Sequence, residues 1–328
     1  MKRKQHDTLA RSAMKLLCLF LAVILTFLLG ASFLFQQVLA KIHYTQPAAD
    51  FGTRLSGFLT QLRSEGLGTQ SDLIGGTGSG IVNILLIGQD RREDETTARS
   101  DSIILCTYHR KSGDVTMTSF LRDLYVAIPG HHSNRINAAY SEGGAALLRS
   151  TLRDNFLLHI DGCVEVDFSQ FAQIIDLLGG VRLELREDEA AEINKETGSA
   201  LTAGTQTLNG QQALAYARIR KLDADGDFSR TNRQRKVMSA LLGQYRTIKW
   251  KDLLPLMDQL LPLISTDLNY GKLVLLAMEI LPRLSDAQIV NQRIPADGTF
   301  TDETIDGMAV LSPDLEANRA FLRKTLLP

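Results

Sequence analysis

The chain has 328 residues, 44% of them hydrophobic, and a formal net charge of -1, so it is a globular sequence able to bury one large core or two small ones. The near-neutral charge gives no whole-protein attraction to nucleic acid and argues against nucleic-acid binding. The three cysteines, at positions 18, 106 and 163, lack the spacing of metal or thiol redox sites. We expect Cys106 and Cys163 to be two separately buried thiols, although an oxidising compartment would permit a disulfide between them.

The N-terminal region contains an uncharged stretch over residues 16–40. Its apolar core is about twenty residues long, which is enough to span roughly 30 Å of hydrocarbon as a helix. Five basic residues precede it and only Lys41 and Arg54 follow in a similar window. This bias predicts a cytoplasmic tail (1–15), a single transmembrane helix (16–40), an extracellular stalk (41–80) and an extracellular domain (81–328) in the cell membrane. A cleaved signal peptide is the alternative, since Ala31 and Ala40 are small, but its apolar region would be shorter.

The remaining chain has the pattern of a layered α/β domain. The glycine-rich tract before residue 81 is typical of a linker, because no lysine follows it at the spacing of a phosphate-binding loop. Buried strands are predicted at 81–88, 103–108 and 115–120, and a strand, helix, strand unit at 160–168, 171–178 and 181–185. We also predict a helical region broken at Gly143-Gly144, an exposed acidic stretch at 187–196, and packing helices at 253–263 and 273–284. An edge strand at 288–294, a loop at 295–307 and a closing helix at 313–327 complete the prediction.

Charged residues lie at the ends of three of these strands: Asp90, Arg99, Asp101, Arg122 and Asp123. Loops at one edge of a sheet converge in space, and open α/β sheets commonly build sites there. Two carboxylates at a suitable separation would hold a hard divalent cation, and oxygen ligands beside a phosphate favour magnesium or manganese. Taken singly, each aspartate is more commonly a turn or capping residue. Their combination predicts a functional site at this edge of the sheet.

The segment from Leu208 to Met238 carries five arginines within eighteen positions, with Gln234 among them: Arg218, Arg220, Arg230, Arg233 and Arg235. Each guanidinium presents a fixed fork of donors that matches two phosphate oxygens, so this density indicates a polyanionic ligand. The alternative is a solvated basic face paired with Asp223, Asp225 and Asp227. A calcium loop at 223–227 is disfavoured, because the glycine and terminal glutamate of an EF-hand are absent.

Seven stretches follow one another in order with compatible gaps: IVNILLIGQD, ARSDSIILCTY, SFLRDLYVAIPG, RINAAYSEGG, FAQIIDLLGGV, LNGQQALAYARIR and DFSRTNRQR. Behind a single membrane span, they resemble the ordered signature of the LytR-CpsA-Psr family over roughly residues 81–245. The resemblance implies a three-layer α/β/α domain with a mixed central sheet, held outside the membrane. It also implies a phosphotransferase that moves a glycopolymer, such as teichoic acid or capsule, from a polyprenyl diphosphate lipid to peptidoglycan.

The resemblance further implies roles for individual residues. The family's metal-associated aspartates correspond to Asp90 and Asp101, which implies Mg²⁺ or Mn²⁺ as cofactor. Its diphosphate-contacting residues correspond to Arg99, Arg122, Arg218, Arg220, Arg230 and Gln234. Arg122 and Arg218 are expected to stabilise the transition state, and Asp90 or Asp101 to accept the proton of the attacking sugar hydroxyl.

The chain departs from the family pattern at two positions. Leu121 stands where a proline usually precedes the arginine of the third motif, and Arg235 stands where a second glutamine is frequent. Two other functions remain compatible with the sequence: a hydrolase of the diphosphate lipid, in which water replaces the sugar hydroxyl, and a non-catalytic receptor for polyprenyl diphosphate. A DNA-binding regulator is disfavoured, because the basic segment is predicted to lie outside the membrane.

Overall fold

The computed structural model describes residues 43–44, 73–76, 78–90, 99–223, 226–244, 255–256 and 259–327. The predicted cytoplasmic tail, the predicted transmembrane helix and most of the predicted stalk therefore lie outside the described residues. Within the described ranges, no helix combines the length and apolar character that a membrane crossing requires.

Seven strands of the described residues form the central sheet, in the order β1, β10, β7, β2, β3, β4, β11. The described residues form the strands β1 (His43–Tyr44), β2 (Ile81–Asp90), β3 (Arg99–His109), β4 (Val115–Phe120), β5 (Tyr125–Val126), β6 (Asn134–Arg135), β7 (Gly162–Asp167), β8 (Val181–Leu185), β9 (Gly204–Leu208), β10 (Ser265–Thr266), β11 (Ile289–Ile294), β12 (Phe300–Ile305) and β13 (Met308–Pro313). Strand β2 runs antiparallel to β3 and parallel to β7, and β11 runs parallel to β4. The predicted α/β class with a mixed central sheet is confirmed.

Helices cover the sheet and form the smaller core beside it. They are α1 (Ile136–Phe156), α2 (Phe168–Leu177), α3 (Glu187–Thr197), α4 (Gly210–Arg218), α5 (Asp227–Gln244), α6 (Tyr270–Ile280) and α7 (Leu315–Leu326). The predicted break in α1 is confirmed, because Gly143 and Gly144 have non-helical backbone angles. The predicted closing helix and the predicted edge strand are also confirmed as α7 and β11.

Side chains of β2 and β3 alternate between two cores, as the period of a strand requires. Ile81, Leu85, Ile87, Ile103 and Leu105 pack in one core with residues of α1, including Leu148, Leu152 and Phe156. Val82, Ile84, Leu86, Ile104 and Cys106 pack in the other core, with Met238 and Leu242 of α5 and Leu276 and Ile280 of α6. Cys163 belongs to the first core and Cys106 to the second, and both thiols are free.

A separate core holds α5 in place. It gathers α2, α3, α4, α5 and the β8–β9 hairpin around buried residues such as Ile175, Tyr216 and Val237. Helices α2 and α4 each begin with a capping box, Asp167 with Gln170 and Asn209 with Gln212. They pack so closely that a Cβ on Gly210 would lie 2.1 Å from the carbonyl oxygen of Ala172.

Three sequence-based predictions need correction. Strand β8 is not part of the central sheet, because it pairs antiparallel with β9 instead. The acidic stretch 187–196 is not wholly exposed, since it forms helix α3 and Glu189 on its inner face is 2% exposed. The predicted loop at 295–307 contains strand β12, which forms a hairpin with β13.

Candidate active site

The charged strand ends meet at one edge of the central sheet. Strand β3 begins where the antiparallel strands β2 and β4 end, and the parallel strands β7 and β11 also end there. Backbone pairing continues across a bulge after Gly88 until Asp90 lies opposite Arg99. The guanidinium of Arg122 donates to the carboxylate of Asp101 over 3.0 Å. The predicted convergence is therefore observed between β3 and the segment after β4.

Three arginines surround two carboxylates at this edge, and we call this group the arginine cluster: Arg122, Arg220 and Arg230 with Asp101 and Asp227. Asp101 lies 3.0 Å from Arg122, 3.6 Å from Arg220 and 4.0 Å from Arg230, measured between nearest charged atoms. Asp227 lies 3.3 Å from Arg122, 4.0 Å from Arg220 and 2.9 Å from Arg230. The cluster combines three distant parts of the chain and has one more cation than anions.

Arg230 is the most enclosed member of the cluster, with only 2% of its side chain exposed. Its Nη2 also donates to the backbone carbonyl of Asp101 over 3.3 Å, which joins α5 to β3. Burial lowers the pKa of Arg230 to about 10, and the neighbouring Arg122 and Arg220 act in the same direction. The side chain stays charged at neutral pH, but its charge is poorly solvated, so an entering anion would be favoured.

Neighbouring carboxylates compensate the charge of Arg122 more strongly than that of Arg230. Burial opposes its charge, but Asp227, Asp123 and Asp101 more than offset this effect, so the pKa of Arg122 is raised above its usual value. The Nε of Arg122 lies 3.7 Å from Asp123, and Arg135 donates to the other oxygen of Asp123 over 3.1 Å. The loop after β4 is therefore held by ion pairs on both sides of Asp123.

Two predicted site residues lie beside the cluster without joining its ion pairs. Arg218, at the end of α4, is half exposed, lies 3.6 Å from Glu196 and stacks over the ring of Phe168 at 5.1 Å. Phe168 directly follows β7, so Arg218 reaches the same sheet edge from another direction. Gln234 is one turn beyond Arg230 on α5, and its Oε1 is buried without a hydrogen-bond partner in the described part of the protein.

The other two arginines of the segment have different surroundings. Arg233 points into the smaller core, where its Nε donates to Glu189 over 2.9 Å and its Nη1 to the carbonyl of Ile219 over 3.3 Å. It also pairs with Asp223. Arg235 is buried, and its Nε and Nη1 have no hydrogen-bond partner among the residues that the structure describes. Burial together with Arg293 lowers the pKa of Arg235 to about 10. Asp223 and Asp227 pair with arginines of the segment, as the alternative interpretation expected, but Arg230, Arg233 and Arg235 are buried and do not form a solvated basic face. Asp225 lies outside the described residues.

The chemistry of the donor set is compatible with a divalent cation. The side chains of Asp90 and Arg99 lie outside the described residues, and the described part contains no group of three acidic, histidine or cysteine side chains suited to a metal. Magnesium is usually held by one or two protein carboxylates together with substrate phosphates, so such a group is not required. Asp101 is 18% exposed, and its carboxylate oxygens are of the hard type that such a cation prefers.

From the sequence, Asp227 was considered only as a partner of a solvated basic face or as part of a calcium loop, and a role for Asp227 in the site was missed. It is the second carboxylate of the cluster and contacts all three arginines. Its spacing to Arg230 was the available signal, because residues at i and i+3 share a helix face. Arg135 gave no comparable signal, since its contact with Asp123 depends on the pairing of β5 with β6.

Curated relatives match about half of this sequence. The chain is 37% identical over 178 residues to the polyisoprenyl-teichoic acid–peptidoglycan teichoic acid transferase TagT of Bacillus subtilis, covering 52% of this chain and 55% of TagT. It is 36% identical over 189 residues to the biofilm regulatory protein A of Streptococcus mutans, covering 51% of this chain and 47% of that protein. The chain thus spans about half the length of the curated relatives that it matches.

Solved structures match a larger part of the chain. A structure of TagT bound to LIIa-WTA is 28% identical, with a TM-score of 0.63, and the match covers 78% of this chain and 95% of that chain. TagT with bound octaprenyl pyrophosphate lipid is 26% identical with a TM-score of 0.59, over 78% of this chain and 95% of that chain. The LytR_cpsA_psr family model matches residues 61–325 of the sequence. The chain therefore belongs to the LytR_cpsA_psr family.

Proposed function

We propose that this protein is a phosphotransferase that moves a glycopolymer from a polyprenyl diphosphate carrier to peptidoglycan, forming a phosphodiester link. The observation that carries the proposal is the arginine cluster, in which three guanidinium groups converge on two carboxylates at one sheet edge. The likeness to a teichoic acid transferase, and to its structure with a polyprenyl pyrophosphate lipid, supports the same substrate class.

The cluster suits the charge that develops during the reaction. Breaking the phosphoanhydride spreads negative charge over the transferred phosphoryl oxygens and the leaving lipid phosphate. Donors that are already fixed in position stabilise this charge without having to reorganise. Arg122 and Arg230 are fixed by Asp101 and Asp227, while Arg218 is half exposed and free to approach the diphosphate from the α4 side. Arg220, Arg99 and the side-chain NH2 group of Gln234 complete the proposed contacts.

A divalent cation would add to this electrostatic stabilisation. Asp101 and Asp90 would hold Mg²⁺ or Mn²⁺, which would neutralise charge on the diphosphate. The attacking sugar hydroxyl also requires a proton acceptor. Asp101 is engaged by the guanidinium groups, so Asp90 is the preferred base in this proposal.

We further propose that residues 16–40 anchor the protein in the membrane, with the domain from residue 81 on the outer side. Polyprenyl diphosphate lipids lie in the membrane and peptidoglycan lies outside it, so this arrangement brings both substrates to one site. The proposal depends on the apolar stretch and on the excess of basic residues before it.

The test uses the full-length protein in detergent with a synthetic polyprenyl diphosphate disaccharide, magnesium and peptidoglycan oligomers. Released lipid phosphate and the mass of the joined glycan are followed together. Arg122→Ala is expected to slow transfer by about 100-fold or more, since it removes a fixed donor from the developing charge. Arg182→Ala is the matched control, because Arg182 is an exposed arginine on the β8–β9 hairpin.

The outcomes separate three functions. A joined glycan that disappears with Arg122→Ala and persists with Arg182→Ala supports the transferase. Release of lipid phosphate without a joined product would identify a hydrolase instead. Binding of the lipid with neither product would identify a receptor. Omitting magnesium and adding a chelator tests the proposed cofactor in the same assay.

A further inference from the structure

A cleft of about 380 Å³ lies directly beside the arginine cluster. Asp123 and Asp227 form its inner side, and Phe228, the residue after Asp227, lies next to them. The β12–β13 hairpin forms the outer side, with Asp302 and Glu303 on one strand and apolar residues on the other. The cleft therefore shares Asp227 with the arginine cluster, and Asp123 lies 3.7 Å from Arg122 of the cluster. The remaining surface of the cleft is mainly acidic and apolar.

The hairpin is fixed relative to the cluster by backbone contacts. The amide of Leu311 donates to the carbonyl of Asp123 over 2.9 Å, and Leu311 also forms a β-bridge with Leu124. At the other end, the ring of Phe300 lies 5.7 Å from the ring of Phe228. The outer side of the cleft is thus attached to the same two segments that carry Arg122 and Arg230.

The lining determines which class of ligand the cleft can take. Asp302 and Glu303 add negative charge next to Asp123 and Asp227, whose charges are already paired with arginines. The outer side of the cleft is therefore unfavourable for a second polyanion such as the diphosphate or a phosphate-rich polymer. Carboxylates accept strong hydrogen bonds from hydroxyl and amide groups, and apolar side chains contact the C–H faces of sugar rings. A hydroxyl-rich glycan without negative charge satisfies both requirements.

We propose that this cleft is the acceptor subsite, which binds an uncharged glycan segment and directs one of its hydroxyl groups toward a diphosphate held by Arg122 and Arg230. The inference rests on the proposed function, because it places the second substrate of that reaction. The opposite charges of the arginine cluster and the cleft let each region bind a different substrate. The anionic donor binds the cationic cluster, and the glycan acceptor binds the acidic cleft.

The test compares two sets of substitutions on the hairpin in the full-length protein. The double variant Asp302→Asn with Glu303→Gln removes two cleft carboxylates from exposed positions, so the fold is retained. Asp306→Asn is the matched control: Asp306 is exposed in the turn of the same hairpin, outside the cleft lining, and asparagine tolerates its positive φ of 51°. Binding is measured by calorimetry with two probes, the β-1,4-linked tetramer of N-acetylglucosamine and farnesyl diphosphate. Acceptor KM is measured in the transfer assay.

The double variant is expected to bind the tetramer about tenfold more weakly or worse, because hydrogen bonds to charged groups are lost. Its affinity for farnesyl diphosphate and the behaviour of Asp306→Asn are expected to match the unchanged protein. If the double variant loses tetramer binding while the unchanged protein shows no transfer, the result would support the subsite and refute the transferase. Transfer with an unchanged acceptor KM in the double variant would support the transferase and refute the subsite, as would failure of the unchanged protein to bind the tetramer.

Discussion

The buried ion pair between Arg233 and Glu189 leads to a quantitative prediction about how the site is held. Each side chain is 3% exposed, and the two are joined over 2.9 Å. Glu189→Gln keeps the shape of the side chain but removes its charge, so that Asp223 is the one anionic partner left to Arg233 among the described residues. Breaking a buried pair on one side typically costs about 3–5 kcal/mol. We expect a loss of about 3 kcal/mol, because Asp223 still compensates part of the charge.

Chemical and thermal denaturation measure this effect. A loss of about 3 kcal/mol corresponds to a fall in Tm of roughly 6–12 °C for a domain of this size. Glu192→Gln on the same helix is the control, since Glu192 is 37% exposed and forms a surface pair with Lys195 at 3.7 Å. Its expected effect is within about 0.5 kcal/mol. Equal stability of the two variants would refute the conclusion that the buried pair of Arg233 and Glu189 stabilises the domain. A cycle with Arg233→Gln would measure the coupling directly.

Three further predictions concern buried or paired groups. Arg235→Gln is expected to stabilise the domain by about 1–2 kcal/mol in urea unfolding, because it removes a buried charge with unpaired nitrogen atoms; a loss would show that Arg235 has a partner anion. Hydrogen bonds from Arg186 and Arg233 lower the pKa of Asp223 in the folded protein. The stability that the ionised carboxylate gives the fold is therefore complete above the pKa of the unfolded state, roughly 3.9, and is lost as the pH falls through the lower pKa of the folded state. Asp223→Asn should therefore flatten the fall of the urea midpoint below about pH 4, and an unchanged slope would contradict this. Burial raises the pKa of Cys163 to about 11, so iodoacetamide at pH 8 should label it only after unfolding, as mass spectrometry would detect.

The meeting of the charged strand ends could be predicted from the sequence because it follows from short connections between consecutive strands. Apolar runs at 81–88, 103–108 and 115–120 predict consecutive strands, and a short turn at Lys111 to Asp114 makes the last two antiparallel. Charged residues at alternate ends of such strands must then share one edge. The pairing of Arg122 with Asp101 is the direct result.

The roles of the individual arginines could not be predicted in the same way, since they depend on distant partners. Arg230 and Arg233 are three residues apart on α5, yet one joins the cluster and the other contacts Glu189, 44 positions earlier in the chain. The burial of Glu189 was missed because an acidic helix ordinarily faces solvent.

The β12–β13 hairpin was missed for a different reason. Four of the six residues of β12 are exposed, so the strand lacks the alternation of apolar and polar residues that normally identifies one. Its signal was the pair Asp306-Gly307 at the turn, which is a common hairpin sequence. Recognising that pair would have placed Asp302 and Glu303 on a strand beside the site.

The shared carboxylates of the arginine cluster have a consequence for how ionic strength affects ligand binding. An open basic patch is neutralised by dissolved ions, which are released when an anion binds, so its affinity falls steeply with added salt. In the cluster, Asp101 and Asp227 are counter-ions supplied by the chain itself, and they neutralise two of the three arginines. A diphosphate bound as proposed would meet arginines whose charges these carboxylates already neutralise in part, so it would release few dissolved ions. Its affinity is therefore expected to depend only weakly on salt.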